Sequence, residues 1–231
     1  MKISEYSAAL QNNPLCKDMN AEELDYVLKC LKPKVRHYLT NDIIAVGDTE
    51  FTGVGVIISG EVLITKELVT GYRHIMAKLG PKNLFGEMIA FSDKKVWPAT
   101  VTALTDTTVL FLPPNMIIGT CSKMCQGHTK LIINMLAIVS NKALRLNRKV
   151  EYLTIKGMRE KLVTYLLEAY KKSATNVIQI NLSRSELAEF LNVSRPSMSR
   201  ELARMKDEGL IDYHKSSFRI IDLDRLTSII F

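Results

Sequence analysis

The strongest constraint on the fold of this chain comes from residues 182–209, where two helix-start signals follow one another closely. Ser183 precedes an apolar-periodic run and is followed three residues later by a glutamate, which is the capping-box pattern. Ser194 has the same position before the next run, and Pro196 suits its first turn because amides there lack partners inside the helix. The pattern predicts two helices joined by a tight turn, a helix-turn-helix at about 184–207.

The second of these helices is basic on the face that its apolar residues leave free. In a helix-turn-helix the N-terminal part of the second helix enters the major groove, where arginine can pair with two acceptors of guanine. We therefore expect Arg195 and Arg200 to contact bases, although a phosphate contact or a plain surface position stays open for either arginine alone. The predicted DNA-binding residues of the two helices are Ser183, Arg195, Pro196, Ser197, Ser199, Arg200 and Arg204.

The segments IDYHKS and SFRIIDL, which follow Leu210, have the pattern of a two-stranded hairpin. A hairpin beside a helix-turn-helix forms a wing, and His214 and Lys215 fall near its tip. Lys215 is therefore predicted to contact a DNA phosphate, which adds it to the DNA-binding set.

A long helix is predicted from about Cys125 to Leu153, because this segment contains no proline and no glycine after Gly127. Its apolar residues recur in alternating steps of four and three, and a period of 3.5 residues keeps one stripe against a partner helix. The segment is therefore predicted to form a homodimer through a two-stranded coiled coil, with a helix packed on its own domain as the alternative. The predicted dimer residues are Ile132, Leu136, Val139, Ala143, Leu146, Val150 and Leu153.

The region from about Gly47 to Pro113 alternates short β-branched runs with glycine punctuation. Val54–Ile58, Val62–Lys66 and His74–Leu79 are three such runs, and their close spacing favours a compact antiparallel barrel or roll over βαβ units.

The charge of the chain favours a polyanionic partner, because the formal net charge is +7. Residues 123–150 contain six Lys and Arg and no Asp or Glu, although a solvated helix face would explain this equally. No apolar run is long enough to cross a membrane and no signal peptide opens the chain, so we expect a cytoplasmic protein with no membrane partner. The four cysteines are too few and too scattered for a disulfide scaffold, and reduced thiols are expected.

Several motifs together resemble the Crp/Fnr superfamily, the relatives of the cyclic-AMP receptor protein and the fumarate and nitrate reduction regulator. They are VIISGEV, LFGEM at 84–88, the Ala-Thr-Val-Thr-Ala run at 99–103 and LAEFLNVSRPSMSRELARMKDEGLI. The resemblance spans nearly the whole chain and implies an α+β fold. Its parts would be an N-terminal double-stranded β-helix (jelly-roll, cyclic-nucleotide-binding-like) domain that senses an effector at 1–126, a dimerisation helix at 127–154 and a winged helix-turn-helix at 155–231. It also implies an inverted-repeat operator in double-stranded DNA and RNA polymerase as a partner.

The effector implied by the resemblance is a small molecule held near the LFGEM element, between it and the dimer helix. In members that bind cyclic AMP, the FGE motif is followed by an arginine and a serine or threonine that hold the cyclic phosphate. Counted from 85–87, those places fall on Trp97 and Pro98, and neither side chain supplies a cation. The sequence therefore argues against cyclic AMP, while Glu87 either contacts an effector or caps the adjacent helix. The predicted effector-binding residues are Gly86, Glu87, Met88, Trp97, Pro98 and Ala99.

Iron–sulfur and haem cofactors are not expected. The iron–sulfur branch of the superfamily uses a tight N-terminal cysteine cluster, whereas Cys16, Cys30, Cys121 and Cys125 do not form that pattern. A lone His74 in a predicted strand is typical of a structural histidine. A regulator that needs no ligand stays open, and an enzyme is not expected because no metal-spaced histidines, nucleophile elbow or phosphate-binding glycine loop occur.

In the second helix, Pro196 stands where the cyclic-AMP branch has a glutamate, and Ser199 with Arg200 resembles the oxygen-responsive branch. The resemblance therefore implies a half-site that differs from that of either founding member.

Overall fold

The structure is a computed structural model that describes residues 6–51, 53–68, 70–71, 73–119, 126–173 and 175–230. The chain divides into two compact units, Met1–Asn141 and Lys142–Phe231, so the division falls inside the long helix. Within the described ranges, no helix combines the length and the apolar content needed to cross a membrane.

Along the chain, the helices of the N-terminal unit come before, between and after its strands. Their bounds are α1 Ser7–Gln11, a 3₁₀ turn Pro14–Cys16, α2 Ala21–Leu31, α3 Glu87–Ala90, α4 Pro114–Ile118 and the long α5 Gln126–Thr154. Helix α2 begins with a capping box: the Asn20 side chain accepts from the Glu23 amide, and the Glu23 carboxylate accepts from the Asn20 amide.

The strands of this unit form two four-stranded antiparallel sheets. Their bounds are β1 Lys34–Tyr38, β2 Ile43–Ala45, β3 Val54–Ser59, β4 Val62–Glu67, β5 Arg73–Leu79, β6 Leu84–Phe85, β7 Thr100–Ala103 and β8 Thr107–Leu112. One sheet has the order β1-β8-β3-β6 and the other β2-β7-β4-β5, which confirms the predicted antiparallel roll. The roll begins earlier than the predicted Gly47, because polar residues interrupt the alternation of β1 and because β2 has only three residues.

In the first of these sheets, β3, β6 and β8 are mostly buried and mostly apolar, whereas β1 is partly exposed and carries Lys34, Arg36 and His37. Val54 and Val56 of β3 pack in a core with the helices, together with Leu131 and Met135 of α5. Ile57 packs in a second core between the two sheets. The first half of α5 is thus anchored to the roll mainly by Leu131 and Met135, and Val139, a predicted dimer residue, also packs against this core.

The C-terminal unit is a winged helix-turn-helix, as predicted. Its elements are α6 Met158–Lys172, β9 Val177–Gln179, α7 Arg184–Leu191, α8 Arg195–Asp207, β10 Ile211–His214, β11 Ser217–Ile220 and α9 Leu223–Thr227. Strands β10 and β11 form the predicted hairpin, and β9 completes an antiparallel sheet of order β10-β11-β9.

Gly60, in the turn between β3 and β4, provides a test of the roll. Its φ is +82°, and a Cβ there would lie 2.4 Å from the Asp106 carbonyl oxygen and 2.7 Å from the Cα of Thr107. We expect Gly60→Ala to lower the free energy of unfolding by about 2–4 kcal/mol, because backbone overlap adds to the left-handed conformation. Gly71→Ala is the control: its φ is +76° with nothing within 4 Å of the added carbon, so it should cost about 1 kcal/mol. Equal denaturation midpoints would contradict this account.

Candidate nucleic-acid interface and ligand site

Helix α7 begins and ends at polar residues that satisfy its terminal backbone groups. The Ser183 hydroxyl accepts from the Glu186 amide at 3.3 Å, and the Glu186 carboxylate accepts from the Ser183 amide at 2.7 Å. These hydrogen bonds hold the pKa of Glu186 below its usual value. Asn192 then adopts the left-handed conformation, with φ +52°, and turns the chain toward α8.

Helix α8 begins with a hydroxyl pair that also orients an arginine. The Ser194 hydroxyl accepts from the Ser197 amide at 3.2 Å and donates to the Ser197 hydroxyl oxygen at 2.7 Å. The Arg200 guanidinium donates to the same Ser197 oxygen at 3.1 Å. Ser197 is therefore occupied with capping α8 and holding Arg200, a role that the sequence did not predict.

The remaining predicted DNA-binding residues of the two helices are exposed. Their shared feature is a position on the outer face, opposite the apolar contacts of α7 and α8: Ser183, Arg195, Pro196, Ser199, Arg200 and Arg204. Leu187, Leu191, Met198 and Leu202 form the opposite, buried face and pack in the core of this unit, as predicted. The surface at the start of α8 is consequently basic.

The wing is held against α7 by an arginine that the sequence analysis missed. The Arg184 guanidinium carbon lies 4.8 Å from the ring centre of Tyr213 and 4.6 Å from that of Phe218. Burial lowers the pKa of Arg184 from its usual value, but the group stays charged near neutral pH, and cation–π contacts stabilise it. Lys215 lies at the exposed turn of the wing with φ +52°.

Arg159 and Lys161, two cationic residues of α6, contact the helix-turn-helix on the side opposite its exposed basic face. Neither contact was predicted from the sequence. The Arg159 guanidinium donates to Glu201 at 2.5 Å and to both carboxylate oxygens of Glu208 at 2.7 and 2.8 Å. The buried Lys161 ammonium donates to the Leu191 carbonyl at 3.1 Å, at the C-terminal end of α7. We call Arg159, Glu201 and Glu208 the α6–α8 ion pairs. They place both carboxylates beside α6, although Glu201 also lies 3.6 Å from the Arg204 guanidinium. Arg195 and Arg200 are exposed at the start of α8.

The six predicted effector residues occupy different environments in the N-terminal unit. Gly86, Glu87, Trp97 and Ala99 are buried, whereas Met88 and Pro98 are exposed. Trp97 packs in the core between the sheets, with its ring centre 5.3 Å from that of Phe51 and 6.3 Å from that of Phe85.

Phe51 lies tightly against the LFGEM element. Gly86 has φ +86°, and a Cβ there would lie 2.2 Å from a ring carbon of Phe51. Only glycine therefore fits at this position, which explains the FGE motif in this chain by local packing.

Phe51 borders two of the open cavities of the described structure, and neither was predicted from the sequence. One, of about 350 Å³, is lined by Lys34, Arg36, Tyr38, Ile44, Glu50, Phe51, Gly53, Phe111, Leu112 and Pro113. The other, of about 310 Å³, is lined by Phe51, Ala90, Lys95, Pro113, Pro114 and Asn115. We call them the β1 cavity and the α3–α4 cavity.

The predicted dimer residues of α5 are largely accessible in the single chain. Leu136, Ala143, Leu146, Val150 and Leu153 are exposed, and Ile132 and Val139 are half-buried. Val139 packs against the core of the N-terminal unit. Ile133 and Leu144, on neighbouring positions of the helix, are also exposed.

The residues weighed for cofactors are dispersed. Cys16 and Cys30 are not joined in a disulfide, and burial raises the pKa of Cys16 to about 12, which disfavours its thiolate. Cys121 and Cys125 lie outside the described residues. His74 is exposed on β5, opposite Lys66. In the described ranges no group of three or more His, Cys, Asp or Glu side chains could hold a metal ion.

Two family models match the chain in the order of its two units. The model described as a cyclic nucleotide-binding domain matches residues 35–123. The model described as a Crp-like helix-turn-helix domain matches residues 160–229.

Curated relatives and solved structures agree with these matches. The chain is 23% identical over 223 residues to the cyclic AMP receptor protein of Thermus thermophilus, covering 96% of this chain and 99% of that protein. It is 23% identical over 176 residues to the CRP-like cAMP-activated global transcriptional regulator of Mycobacterium tuberculosis, covering 74% and 76%.

Two crystal structures show the same fold. That of the catabolite activator protein of Thermus thermophilus aligns with a TM-score of 0.54 at 23% identity, over 95% of this chain and 99% of that one. DNR from Pseudomonas aeruginosa aligns with a TM-score of 0.50 at 22% identity, over 99% of both chains.

The α6–α8 ion pairs predict an acid-dependent stability of the C-terminal unit. Hydrogen bonds from Arg159 hold the pKa of Glu208 below its ordinary 4.5, so the stabilisation is fully present above that pH and is lost as pH falls through the lower folded pKa. Arg159→Gln should destabilise the unit near neutral pH and weaken this acid dependence. Urea denaturation followed by circular dichroism at several pH values measures both. Lys171→Gln, exposed on the same helix, should change neither; identical pH profiles for Arg159→Gln and the unmodified protein would refute the ion-pair account.

Proposed function

This chain belongs to the Crp/Fnr family of DNA-binding transcription regulators, and from that premise we propose that it acts as a homodimer on an inverted-repeat operator under the control of a small effector. The observation that carries the proposal is the start of α8, where Arg195 and Arg200 are exposed, while Glu201 of the same helix and Glu208 just after it pair with Arg159 of α6.

Base contacts are assigned to Arg195 and Arg200 at the start of α8. A helix of this kind presents its N-terminal residues to base edges in the major groove. The hydrogen bond from Arg200 to Ser197 supports this assignment, because a guanidinium held by a neighbour loses less conformational entropy when it pairs with guanine. Ser183, Ser199, Arg204 and Lys215 would contact phosphates, and Pro196 would pack against the groove.

Dimer formation is assigned to α5. A stripe that includes Leu136, Leu146 and Val150 is exposed, with 62%, 58% and 49% of each residue accessible. Burying such side chains against a second helix is favourable by about 1.5–3 kcal/mol each. A twofold dimer would place two α8 helices on two symmetric half-sites, which accounts for an inverted repeat.

The cyclic nucleotide-binding domain implies a small-molecule effector. The residues at the two phosphate-holding places do not suit cyclic AMP, because the Trp97 indole packs among Phe51 and Phe85 and Pro98 carries no charge. We infer an effector of another chemical class. The dense packing around Trp97 also favours a second candidate function, a regulator whose roll is structural and needs no ligand. RNA polymerase is the expected partner, as in other family members.

The dimer proposal predicts that charges on the α5 stripe dissociate the protein. Ala143→Glu combined with Leu146→Glu would bury repelling carboxylates at the interface, so we expect a monomer in sedimentation velocity and loss of operator binding. Ile133→Glu combined with Leu144→Glu tests a neighbouring strip, which is formed by the exposed Ile133 and Leu144. Leu144 points about 100° away from Ala143 on a helix, so the two strips face different directions. Arg145→Glu is the charge control. A dimer that survives the first pair and dissociates with the second would move the interface to the neighbouring strip.

The readout proposal predicts two different signatures. Arg200→Ala should weaken operator binding by about 1–3 kcal/mol and flatten the preference at one base position, because a bidentate guanine contact is lost. Lys215→Ala should lower affinity evenly for all sequences and reduce the salt slope by about one, because one phosphate contact is lost. Binding selection on randomised DNA measures the first effect, and titration at several salt concentrations measures the second. An Arg200→Ala protein with unchanged sequence preference would remove Arg200 from the base-contacting residues.

A further inference from the structure

The β1 cavity lies beside the β1–β8 edge of the first sheet. Lys34, Arg36 and Tyr38 are alternate residues of β1, so their side chains leave the same face of the strand. Its volume of about 350 Å³ is at the lower end of the range for small-molecule sites, about 300–1,000 Å³. The cavity therefore suits a compact ligand.

The charge of the cavity favours an anion. Lys34 and Arg36 are exposed, and neither has an ion-pair partner within the described part of the chain. Glu50 is the carboxylate of the lining, so the lining carries two cations and one anion. A guanidinium with free donors pairs bidentately with a carboxylate, and a nearby ammonium adds a second charge-assisted hydrogen bond.

The rest of the lining favours a flat apolar body. Phe51 and Phe111 meet edge to face with ring centres 6.4 Å apart, and Ile44, Leu112 and Pro113 complete the apolar part. Lys34 pairs directly with Phe111 in the β1–β8 register, so a cation stands beside the aromatic part. An aromatic ring packs well against such edges. The combination fits a small molecule with one aromatic ring and one carboxylate.

Phe51 joins this cavity to the elements that lead to α5. It packs on Trp97 and lies tightly against Gly86, and it also borders the α3–α4 cavity with Ala90 and Pro114. Helix α4 in turn contacts the first turns of α5. The Ile117 carbonyl lies 2.8 Å from a ring nitrogen of the buried His128.

Because space is open on two sides of the Phe51 ring, a ligand in the β1 cavity could displace it. Such a displacement would press on α3 and α4, which border the second cavity. The contact of α4 with α5 then supplies a physical connection from the cavity to the proposed dimer helix.

From these contacts we propose that the β1 cavity binds a small aromatic carboxylate, and that this ligand is the effector of the regulator. The regulatory role of the ligand rests on the proposed function, whereas the chemical class of the ligand rests on the lining of the cavity alone. It differs from the effector site expected from the sequence, since the cavity lining consists of other residues than Gly86, Glu87, Met88, Trp97, Pro98 and Ala99. Phe51 lines the β1 cavity and also contacts Gly86 and Trp97 of the expected effector site.

The test uses benzoate as the probe and the full chain. Trp97 is the only tryptophan and contacts Phe51, so its fluorescence reports displacement of that ring. We expect benzoate to bind in calorimetry and to change the fluorescence, while benzamide, its neutral analogue, binds about tenfold more weakly or less because the charge-assisted bonds are absent. Arg36→Gln and Lys34→Gln should each weaken benzoate binding by about tenfold, whereas Lys66→Gln, an exposed lysine on β4, should leave it unchanged.

Three results would overturn the inference: no benzoate binding, equal binding of benzamide, or equal benzoate affinity in the Arg36→Gln protein. Cyclic AMP is titrated in parallel, and tight binding that survives both cavity variants would place the effector at the LFGEM element instead.

Operator binding is measured on the same samples by fluorescence anisotropy with and without benzoate. A change in DNA affinity supports the regulatory role, and benzoate binding without such a change overturns it. If the protein binds the operator but not benzoate, the inference is wrong and the proposed function stands. If it binds benzoate but shows no preference for any DNA sequence, the proposed function is wrong.

Discussion

A buried ammonium group fixes the geometry on which DNA contact depends. Lys161 lies in the interior of the C-terminal unit, where an unpaired charge would be costly. Its hydrogen bond to the Leu191 carbonyl gives the ammonium a partner and pairs one of the carbonyls at the C-terminal end of α7 that lack partners inside the helix. Arg159, two residues earlier, holds α8 through Glu201 and Glu208. One helix thus positions both helices of the motif, and the basic face of α8 follows from where its carboxylates are drawn.

The N-terminal unit has the fold of a cyclic nucleotide-binding domain, with aromatic side chains in the core between its two sheets. Apolar side chains of β3 and β8 pack in both cores of this unit, one shared with the helices and one between the sheets. Between the sheets, this chain has an aromatic cluster of Phe51, Phe85 and Trp97. A fold of this kind supports different ligands because its stability and its binding site rest on different residues.

Helix α5 contributes side chains both to the cores of the protein and to an exposed apolar stripe. Leu131 and Met135 bury one side of its first half in the roll, while Leu136, Leu146 and Val150 stay accessible. In its second half, Arg148 pairs with Glu168 of α6 and lies 5.8 Å from the Phe190 ring centre on α7. The residues of α5 that contact α6 and α7 are therefore distinct from the exposed stripe. A helix can carry both because its side chains point in all directions around the axis.

The sequence by itself determined the features whose cause is local. The caps at Ser183 and Ser194 were predicted because each is complete within about one helical turn, and the strands followed from alternation over a few residues. Only the tertiary structure decided what joins distant segments. Examples are the contact of Arg184 with the aromatic rings of the wing and the contacts of Arg159 and Lys161 with the helix-turn-helix. The β1 cavity likewise brings together residues that are far apart in the chain. Many lysines and arginines have the same local surroundings, so a single cation gives no signal of its partner until the packing of the elements brings the two side chains into contact.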